Sequence, residues 1–159
     1  MTIKLAINGF GRIGRNVLRA LMESGRRDLE VVAVNDLAPL ETCAHLFEYD
    51  SVHGRYGTPV VVGPATLAVG RGPIRLPRES APAKLPWSDV DIALECTGHF
   101  RTRDGALRHL KNGSNRVLIS APSQDTVKTV VFGVNHRSIT ATDTVISNAS
   151  CTSNCLIPV

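Results

Sequence analysis

Short, nearly continuous apolar runs alternate with longer segments of helical periodicity along most of the chain. Lys4-Leu5-Ala6-Ile7-Asn8, Glu30-Val31-Val32-Ala33-Val34-Asn35, Val90 to Glu95 and Arg116-Val117-Leu118-Ile119 have the length and composition of strands buried on both faces. Between them, Ile13, Val17 and Leu21 recur at helical spacing with Leu18 beside them. Leu40, Cys43, Ala44 and Phe47 share one face of a second segment, and Ala106, Leu107 and Leu110 one face of a third. Gly25 and Asn112-Gly113 are helix stops, and Arg26-Arg27 suit a negative helix end. Val130 to Asn135 and Thr144-Val145-Ile146 predict two further strands, and a last helix starts at Cys151. Strands alternating with helices in this way predict an α/β fold with a mostly parallel sheet.

One region breaks the pattern. From about residue 58 to 78, Val60-Val61-Val62, Thr66 to Val69 and Ile74-Arg75-Leu76 are punctuated by Gly63-Pro64, Gly70 and Gly72-Pro73. That spacing predicts an inserted antiparallel hairpin or meander. Tyr49 to Gly57 reads as a polar loop, and Pro77 to Pro86 as a proline-rich connector anchored by Trp87.

Composition narrows the class. A chain of 159 residues with 43% hydrophobic and 20% charged residues supports a core of its own. No apolar run approaches the ~20 residues of a membrane span, so no membrane association is expected. The opening residues carry no signal-peptide pattern, so the expected location is cytoplasmic. A net charge of +4 suits phosphate-bearing ligands but is equally a solubility device. The arginines are scattered and aromatics make up only 4%, which argues against nucleic-acid binding as a primary role. Cys43, Cys96, Cys151 and Cys155 lack the spacing of a disulfide framework.

The glycine-rich segment Gly9-Phe10-Gly11-Arg12-Ile13-Gly14 changes the picture. It follows a strand and opens a helix, and the next strand ends at Asp36, close to the ~20 residues beyond the motif where a ribose-binding acid is expected. Gly9 permits the tight turn, Gly11 a close backbone approach to a pyrophosphate, and Gly14 close packing of helix on sheet. The first helical turn offers N–H groups to phosphates. This is a Rossmann-type, doubly wound arrangement. Asp36 would repel a 2′-phosphate and Leu37 supplies no cation, so NAD is preferred over NADP.

Ligands of open α/β sheets bind outside the carboxyl ends of the strands. Gly9 to Gly14, Asp36, Thr97-Gly98, Ser120-Ala121-Pro122 and Cys151 are all assigned to that rim. Cys151 lies in Ser147-Asn148-Ala149-Ser150-Cys151-Thr152-Ser153-Asn154-Cys155, where small polar residues provide N-cap chemistry at a helix start. A thiol there meets unpaired N–H groups, an environment that favours the nucleophilic thiolate. Cys155 is expected to be a buried helix residue. As a zinc pair, Cys151 and Cys155 lack two further ligands, so no metal is predicted.

With these segments in hand, the sequence resembles the cofactor-binding half of the phosphorylating glyceraldehyde-3-phosphate dehydrogenase family. The matching stretches are Ala6 to Arg15, Asn35-Asp36, Tyr49 to Gly54, Thr97-Gly98-His99-Phe100, Ile119 to Ser123, Gly133 to His136, and Ser147 to Cys155. The resemblance implies NAD-dependent oxidative phosphorylation of glyceraldehyde 3-phosphate to 1,3-bisphosphoglycerate through a cysteine thiohemiacetal and thioester. It implies that Cys151 is the nucleophile and that Ser150 and Thr152 flank the substrate. Arg12 and Ile13 would meet the pyrophosphate, Asp36 the adenosine ribose and Ser120 the nicotinamide side. Asn8, Gly9, Phe10, Gly11, Gly14, Asn35, Arg78, Thr97, Gly98 and Phe100 complete the implied cofactor set.

Two departures stand out: Glu79-Ser80 where the family usually has Glu-Arg, with Arg78 displaced by two positions, and Thr-Ser-Asn-Cys after Ser150-Cys151 where Thr-Thr-Asn-Cys is usual. The implied partners are a sugar-phosphate aldehyde and inorganic phosphate, with a homotetramer as the full-length assembly. The family's basic histidine lies in a second domain, and none of His45, His53, His99, His109 or His136 has a context that makes it a substitute. The expected division is therefore a dinucleotide-binding domain over 1–150 and, over 151–159, the start of an active-site helix leading into a catalytic domain absent from this chain. The chain alone is expected to be inactive. Erythrose-4-phosphate dehydrogenase, and a non-catalytic NAD-binding module, remain the alternatives.

Overall fold

The computed structural model describes residues 2–159. Its central strand, β1 (Ile3–Asn8), buries its last four residues in succession, which only a strand covered on both faces does. After it come α1 (Arg12–Glu23), β2 (Leu29–Asn35) and α2 (Leu40–Glu48). A small antiparallel ribbon follows, β3 (Tyr49–Asp50) with β4 (Gly54–Arg55), then β5 (Val61–Val62), β6 (Thr66–Ala68) and β7 (Pro73–Arg75). The chain closes with β8 (Ile92–Glu95), α3 (Arg103–Lys111), β9 (Arg116–Ile119), β10 (Lys128–Thr129), β11 (Val145–Ser147) and α4 (Cys151–Leu156).

Nine of these strands form one sheet in the order β10-β11-β9-β8-β1-β2-β7-β6-β5. From β10 to β2 every pairing is parallel. The predicted meander is present as antiparallel β5, β6 and β7, and it extends the main sheet, because β7 lies parallel to β2 at Ala33 and Arg75. The chain leaves β1 towards β2 and returns to its other side at β8. The carboxyl end of β1 is therefore the switch point where such sheets bind ligands.

Alternation along each strand splits the core into two layers. Leu5, Ile7, Val31 and Leu94 pack with Leu18, Leu21, Cys43 and Phe47 of α1 and α2. Ala6, Ala33, Ala93 and Val117 face the opposite way, towards Trp87 and Ala106 of α3.

Three sequence expectations need correction. Val130 to Asn135 is not a strand. Pairing ends when the Val130 N–H reaches the Ser147 carbonyl at 2.8 Å, and the chain then turns. Gly133 takes φ +90°, and Asn135 Oδ1 accepts from the Val131 N–H at 2.7 Å, so local turn chemistry overrides the apolar run and leaves Phe132 74% exposed. In α1, Ile13 is 45% exposed, because Gly14 takes the position closest to the sheet and moves the buried stripe to Gly14, Leu18 and Leu21. Cys155 is exposed, because nothing in the described residues packs over that side of α4.

Two arginines of α1 clamp the β3–β4 ribbon. Arg19 is buried and donates to the carbonyls of Gly54, His53 and Arg55 while pairing with Glu23. Arg12 reaches Asp50 Oδ2 at 3.2 Å and Ser51 Oγ at 3.3 Å. Asp50 Oδ1 accepts the N–H groups of Val52 and His53 at 2.8 and 2.9 Å. Those backbone donors, first His53 and then Val52, bring its carboxyl down to about 2.

Two outcomes are expected. A Cβ at Gly14 would collide with the Gly9 carbonyl oxygen and stand 3.0 Å from Ile7 Cγ2. Gly14→Ala is therefore expected to cost ~1–3 kcal/mol in denaturant unfolding, and an unchanged midpoint would contradict this reading. The Asp50 contribution is present above its unfolded value of ~3.9 and is lost as pH falls towards its folded value. The stability gap between the wild type and Asp50→Asn should accordingly narrow from pH 5 to pH 3 in urea titrations; a constant gap would show that the ribbon does not depend on the carboxylate.

Candidate functional site

The carboxyl ends of β1, β2 and β8 enclose a cleft of about 320 Å³ lined by Asn8, Gly9, Gly11, Asn35, Asp36, Leu37, Glu79, Ser80, Cys96, Thr97, His99 and Phe100. The three motif glycines do different work in it. Gly9 has φ +92°, and a Cβ there would meet Thr97 N at 2.6 Å, so the turn after β1 lies directly against the turn after β8. A Cβ at Gly11 would instead project into open space on the cleft side. Bare backbone is thus presented where a pyrophosphate would come closest. Gly14 seats the helix on the first turn, as described above. Gly11 is also the N-cap of α1, and no side chain caps the helix. The first N–H groups are therefore available to an anion.

Asp36 faces the same cleft and also braces it. Its Oδ2 accepts the Phe10 N–H at 2.7 Å and its Oδ1 the Ala38 N–H at 2.9 Å. A carboxylate has about four acceptor sites, so lone pairs remain for ribose hydroxyls.

Other residues of the implied cofactor set are placed differently from one another. Asn8, Gly9, Gly11, Asn35, Thr97 and Phe100 line the cleft. The Phe10 side chain is buried in the core and stacks on Phe47 at 6.0 Å, so its link to the site is the N–H it donates to Asp36. The Arg12 side chain is held by Asp50 and Ser51, which leaves its backbone at the helix start. Arg78 is exposed and donates at 2.8 Å to the carbonyl of Leu37, a lining residue, whereas Ser80 itself lines the cleft. Gly98, with φ +77°, shapes the turn after β8 without lining the cleft.

A second cleft of about 220 Å³ adjoins the first, and Cys96 borders both. Ile13, Val17, Leu94 and Leu118 give it an apolar floor, and Ser120, Asn148, Ser150, Cys151 and Asn154 line it as well. The exposure of Ile13 on α1 therefore serves this cleft. Cys151 is the first residue of α4, and Ser150 is its N-cap, accepting the Ser153 N–H at 2.9 Å. Thr152 is exposed, with its hydroxyl 2.8 Å from Ser150 Oγ. Ala149 is the one described non-glycine residue with positive φ, +57°, and it is held there. Asn154 Nδ2 donates to the carbonyls of Asn148 and Ser150, and Ser147 Oγ both accepts the Ala149 N–H and donates to the Ala121 carbonyl. An alanine in that region costs ~1–3 kcal/mol and persists only where its surroundings over-determine it.

The four thiols divide clearly. Burial pushes Cys43 and Cys96 up to about 11, which keeps them in the unreactive thiol form. Cys151 and Cys155 are exposed, and of these only Cys151 lines the cleft.

Sequence reasoning missed the acid and the imidazole beneath the first cleft. Glu95 is 1% exposed and His109 fully buried, with Glu95 Oε2 2.8 Å from His109 Nε2. A signal was present: Glu95 is a charged residue ending an otherwise apolar buried strand, and burial of such a group requires partners.

Residues 3–103 match the family model described as the NAD binding domain of glyceraldehyde 3-phosphate dehydrogenase. Over its whole length the chain is 60% identical to a glyceraldehyde-3-phosphate dehydrogenase of Cereibacter sphaeroides, and covers 48% of that protein. It is likewise 60% identical to one of Xanthobacter flavus and 54% identical to one of Pseudomonas aeruginosa, covering 48% of each. The chain thus spans about half the length of the curated relatives it matches. The bare backbone at Gly11, the uncapped start of α1 and the free lone pairs of Asp36 fit the NAD that this domain family binds. On the family match, with the sheet order and glycine turn that accompany it, this chain belongs to the glyceraldehyde-3-phosphate dehydrogenase family, of which it carries the NAD-binding half.

Proposed function

We propose that the chain is the part of a phosphorylating glyceraldehyde-3-phosphate dehydrogenase that binds NAD and carries the nucleophile, Cys151. The observation that supports this most directly is the shared border of the two clefts. Cys96 lines both, so the exposed thiol of Cys151 stands in a pocket adjoining the dinucleotide cleft. The thiolate of Cys151 adds to the aldehyde carbonyl carbon of glyceraldehyde 3-phosphate, giving a thiohemiacetal. NAD supplies the hydride acceptor there, and loss of hydride and proton leaves an acyl thioester on Cys151. Inorganic phosphate then attacks the acyl carbon, the C–S bond breaks, and 1,3-bisphosphoglycerate leaves as Cys151 returns to thiolate. Thiolate suits both steps, as a strong nucleophile and a good leaving group.

Ser150 and Thr152 flank the reacting carbon, and Ser120, in the same cleft as Cys151, borders the nicotinamide side. Asp36 binds the adenosine ribose. No histidine is among the residues lining the Cys151 cleft. The base that takes the thiohemiacetal proton, and the groups that hold the substrate phosphates, are assigned to the other half of the relatives' length. The full-length protein is proposed to act as a cytoplasmic homotetramer.

The test is a chimera in which this chain replaces the matching half of the Cereibacter sphaeroides relative. It is expected to turn over glyceraldehyde 3-phosphate and NAD repeatedly only when phosphate is present, with at most about one NADH per Cys151 formed quickly without it, and Cys151→Ser should lower the rate at least ~10³-fold. The 159-residue chain alone is expected to show no turnover. A Cys151→Ser chimera with retained activity would remove the nucleophile assignment, and faster turnover of erythrose 4-phosphate would reassign the substrate. Separately, Asp36→Ala in the chain is expected to weaken NAD binding ~10–100-fold by calorimetry, the cost of losing charge-assisted hydrogen bonds. The discrimination against NADP should fall with it; an unchanged NAD/NADP ratio would refute the ribose role.

A further inference from the structure

We propose that Glu95 is the positioning residue of the cofactor cleft, setting both of its walls without touching the ligand. The inference rests on NAD binding by this domain and not on the aldehyde chemistry proposed above.

In the parallel register Asn8 lies beside Glu95 on one side and Asn35 on the other, so the three side chains form a row across β8, β1 and β2. Asn8 Nδ2 donates to Glu95 Oε2 at 2.7 Å, and Asn35 Nδ2 donates to Asn8 Oδ1 at 2.8 Å. Asn35 then closes a two-bond clasp on the backbone of the connector. Its Nδ2 donates to the Glu79 carbonyl at 2.8 Å, and its Oδ1 accepts the Glu79 N–H at 2.9 Å. Glu79 and Ser80 form one wall of the cleft. The opposite wall is tied to the other carboxyl oxygen. Glu95 Oε1 accepts the Thr97 N–H at 2.8 Å and the Thr97 hydroxyl. Among the described residues His109 has no partner at Nδ1, so its ring, stacked on Trp87, is anchored there by hydrogen bonding to Glu95 alone.

The direction of this relay follows from Glu95. A carboxamide presents a donor or an acceptor to a neighbour depending on how it is turned, whereas an ionised carboxylate only accepts. Glu95 therefore turns the amide nitrogen of Asn8 towards itself. That leaves the Asn8 oxygen for Asn35, and so orients the clasp on Glu79. A glutamine at 95 has nearly the same shape but one donor end. With its oxygen towards Asn8, its amide faces the Thr97 N–H, donor against donor. With its oxygen towards Thr97, its amide faces Asn8 Nδ2, and turning Asn8 passes the conflict to Asn35 and Glu79. Either way one wall loses its tie.

The same logic predicts a repair. In the double variant Asn8→Asp with Glu95→Gln, the glutamine oxygen faces Thr97 and its amide donates to the new carboxylate, which still accepts from Asn35 Nδ2. His109 adapts by taking the other tautomer, since its Nδ1 is free of protein partners. Asn8→Asp alone sets two carboxylates against each other.

The experiment measures NAD affinity of the chain by calorimetry for the wild type, both single variants and the double variant, with a thermal melt of each. Each single variant is expected to bind NAD ~10–100-fold more weakly, and the double variant to recover at least ~10-fold relative to Asn8→Asp. Isosteric changes without a wiring role would show no such recovery. A folded Glu95→Gln variant with wild-type NAD affinity overturns the proposal. So does a double variant that binds no better than Asn8→Asp, whether or not Glu95→Gln alone folds.

Discussion

The turn after β1 and the turn after β8 touch at a position where no side chain fits. At Gly9 a Cβ would stand 2.6 Å from Thr97 N and 2.7 Å from the Cys96 carbonyl carbon, at a backbone angle that L side chains rarely adopt. This contact sets the spacing of everything at the sheet's carboxyl edge. It brings β8 against β1 with Asn8 beside Glu95. It places the Gly9 carbonyl where α1 can start only if residue 14 lacks a side chain. It also puts Cys96 between the two clefts. The glycines of the motif are thus three separate solutions to close approach: backbone against backbone at Gly9, backbone open to a ligand at Gly11, and helix against turn at Gly14.

Beneath this edge the structure places a charged group where an apolar one would pack more cheaply. A buried carboxylate with missing partners is strongly destabilising, but Glu95 has every neighbour it needs from β1, from its own turn and from α3. Such a network specifies geometry more than it adds stability. The carboxylate imposes one direction on two carboxamides and thereby ties a proline-rich connector, which has little regular structure of its own, to the side of the cleft. Directionality of hydrogen bonding, carried across three strands by residues in register, does here what packing alone does elsewhere in the core.

The second cleft shows a related economy. The sheet ends at Ser147, the helix starts at Cys151, and three residues join them. That short link forces Ala149 into the left-handed region and exposes the next turn of chain, with Cys151 at its tip. The strain is local and is held by side chains on both sides, Ser147 and Asn154. Burial meanwhile keeps Cys43 and Cys96 protonated, which separates one exposed candidate nucleophile in the cleft from a thiol buried in the core and a half-buried one between the two clefts.

Much of this was legible in the sequence because it is written in local periodicity and turn chemistry. The apolar runs of β1, β2, β8 and β9, the stop at Gly25, the glycine turn with Asp36 after the next strand, and Cys151 at a helix start all depend on residues near one another in the chain. The strand expected at Val130 to Asn135 failed for the same reason in reverse: an apolar run resembles a strand until Gly133 and Asn135 form a tighter local turn. What the sequence by itself determined was the α/β class, the dinucleotide motif and the family. Only the tertiary structure decided which side of each element faces what. It turned Ile13 outward into a cleft, held the Arg12 and Phe10 side chains on Asp50 and Phe47 outside the lining of the dinucleotide cleft, and joined Glu95 to Asn8 and His109 across separations of 87 and 14 residues. Those pairings follow from strand register and crossover direction, which no local pattern encodes, because the partners meet only after the sheet has assembled.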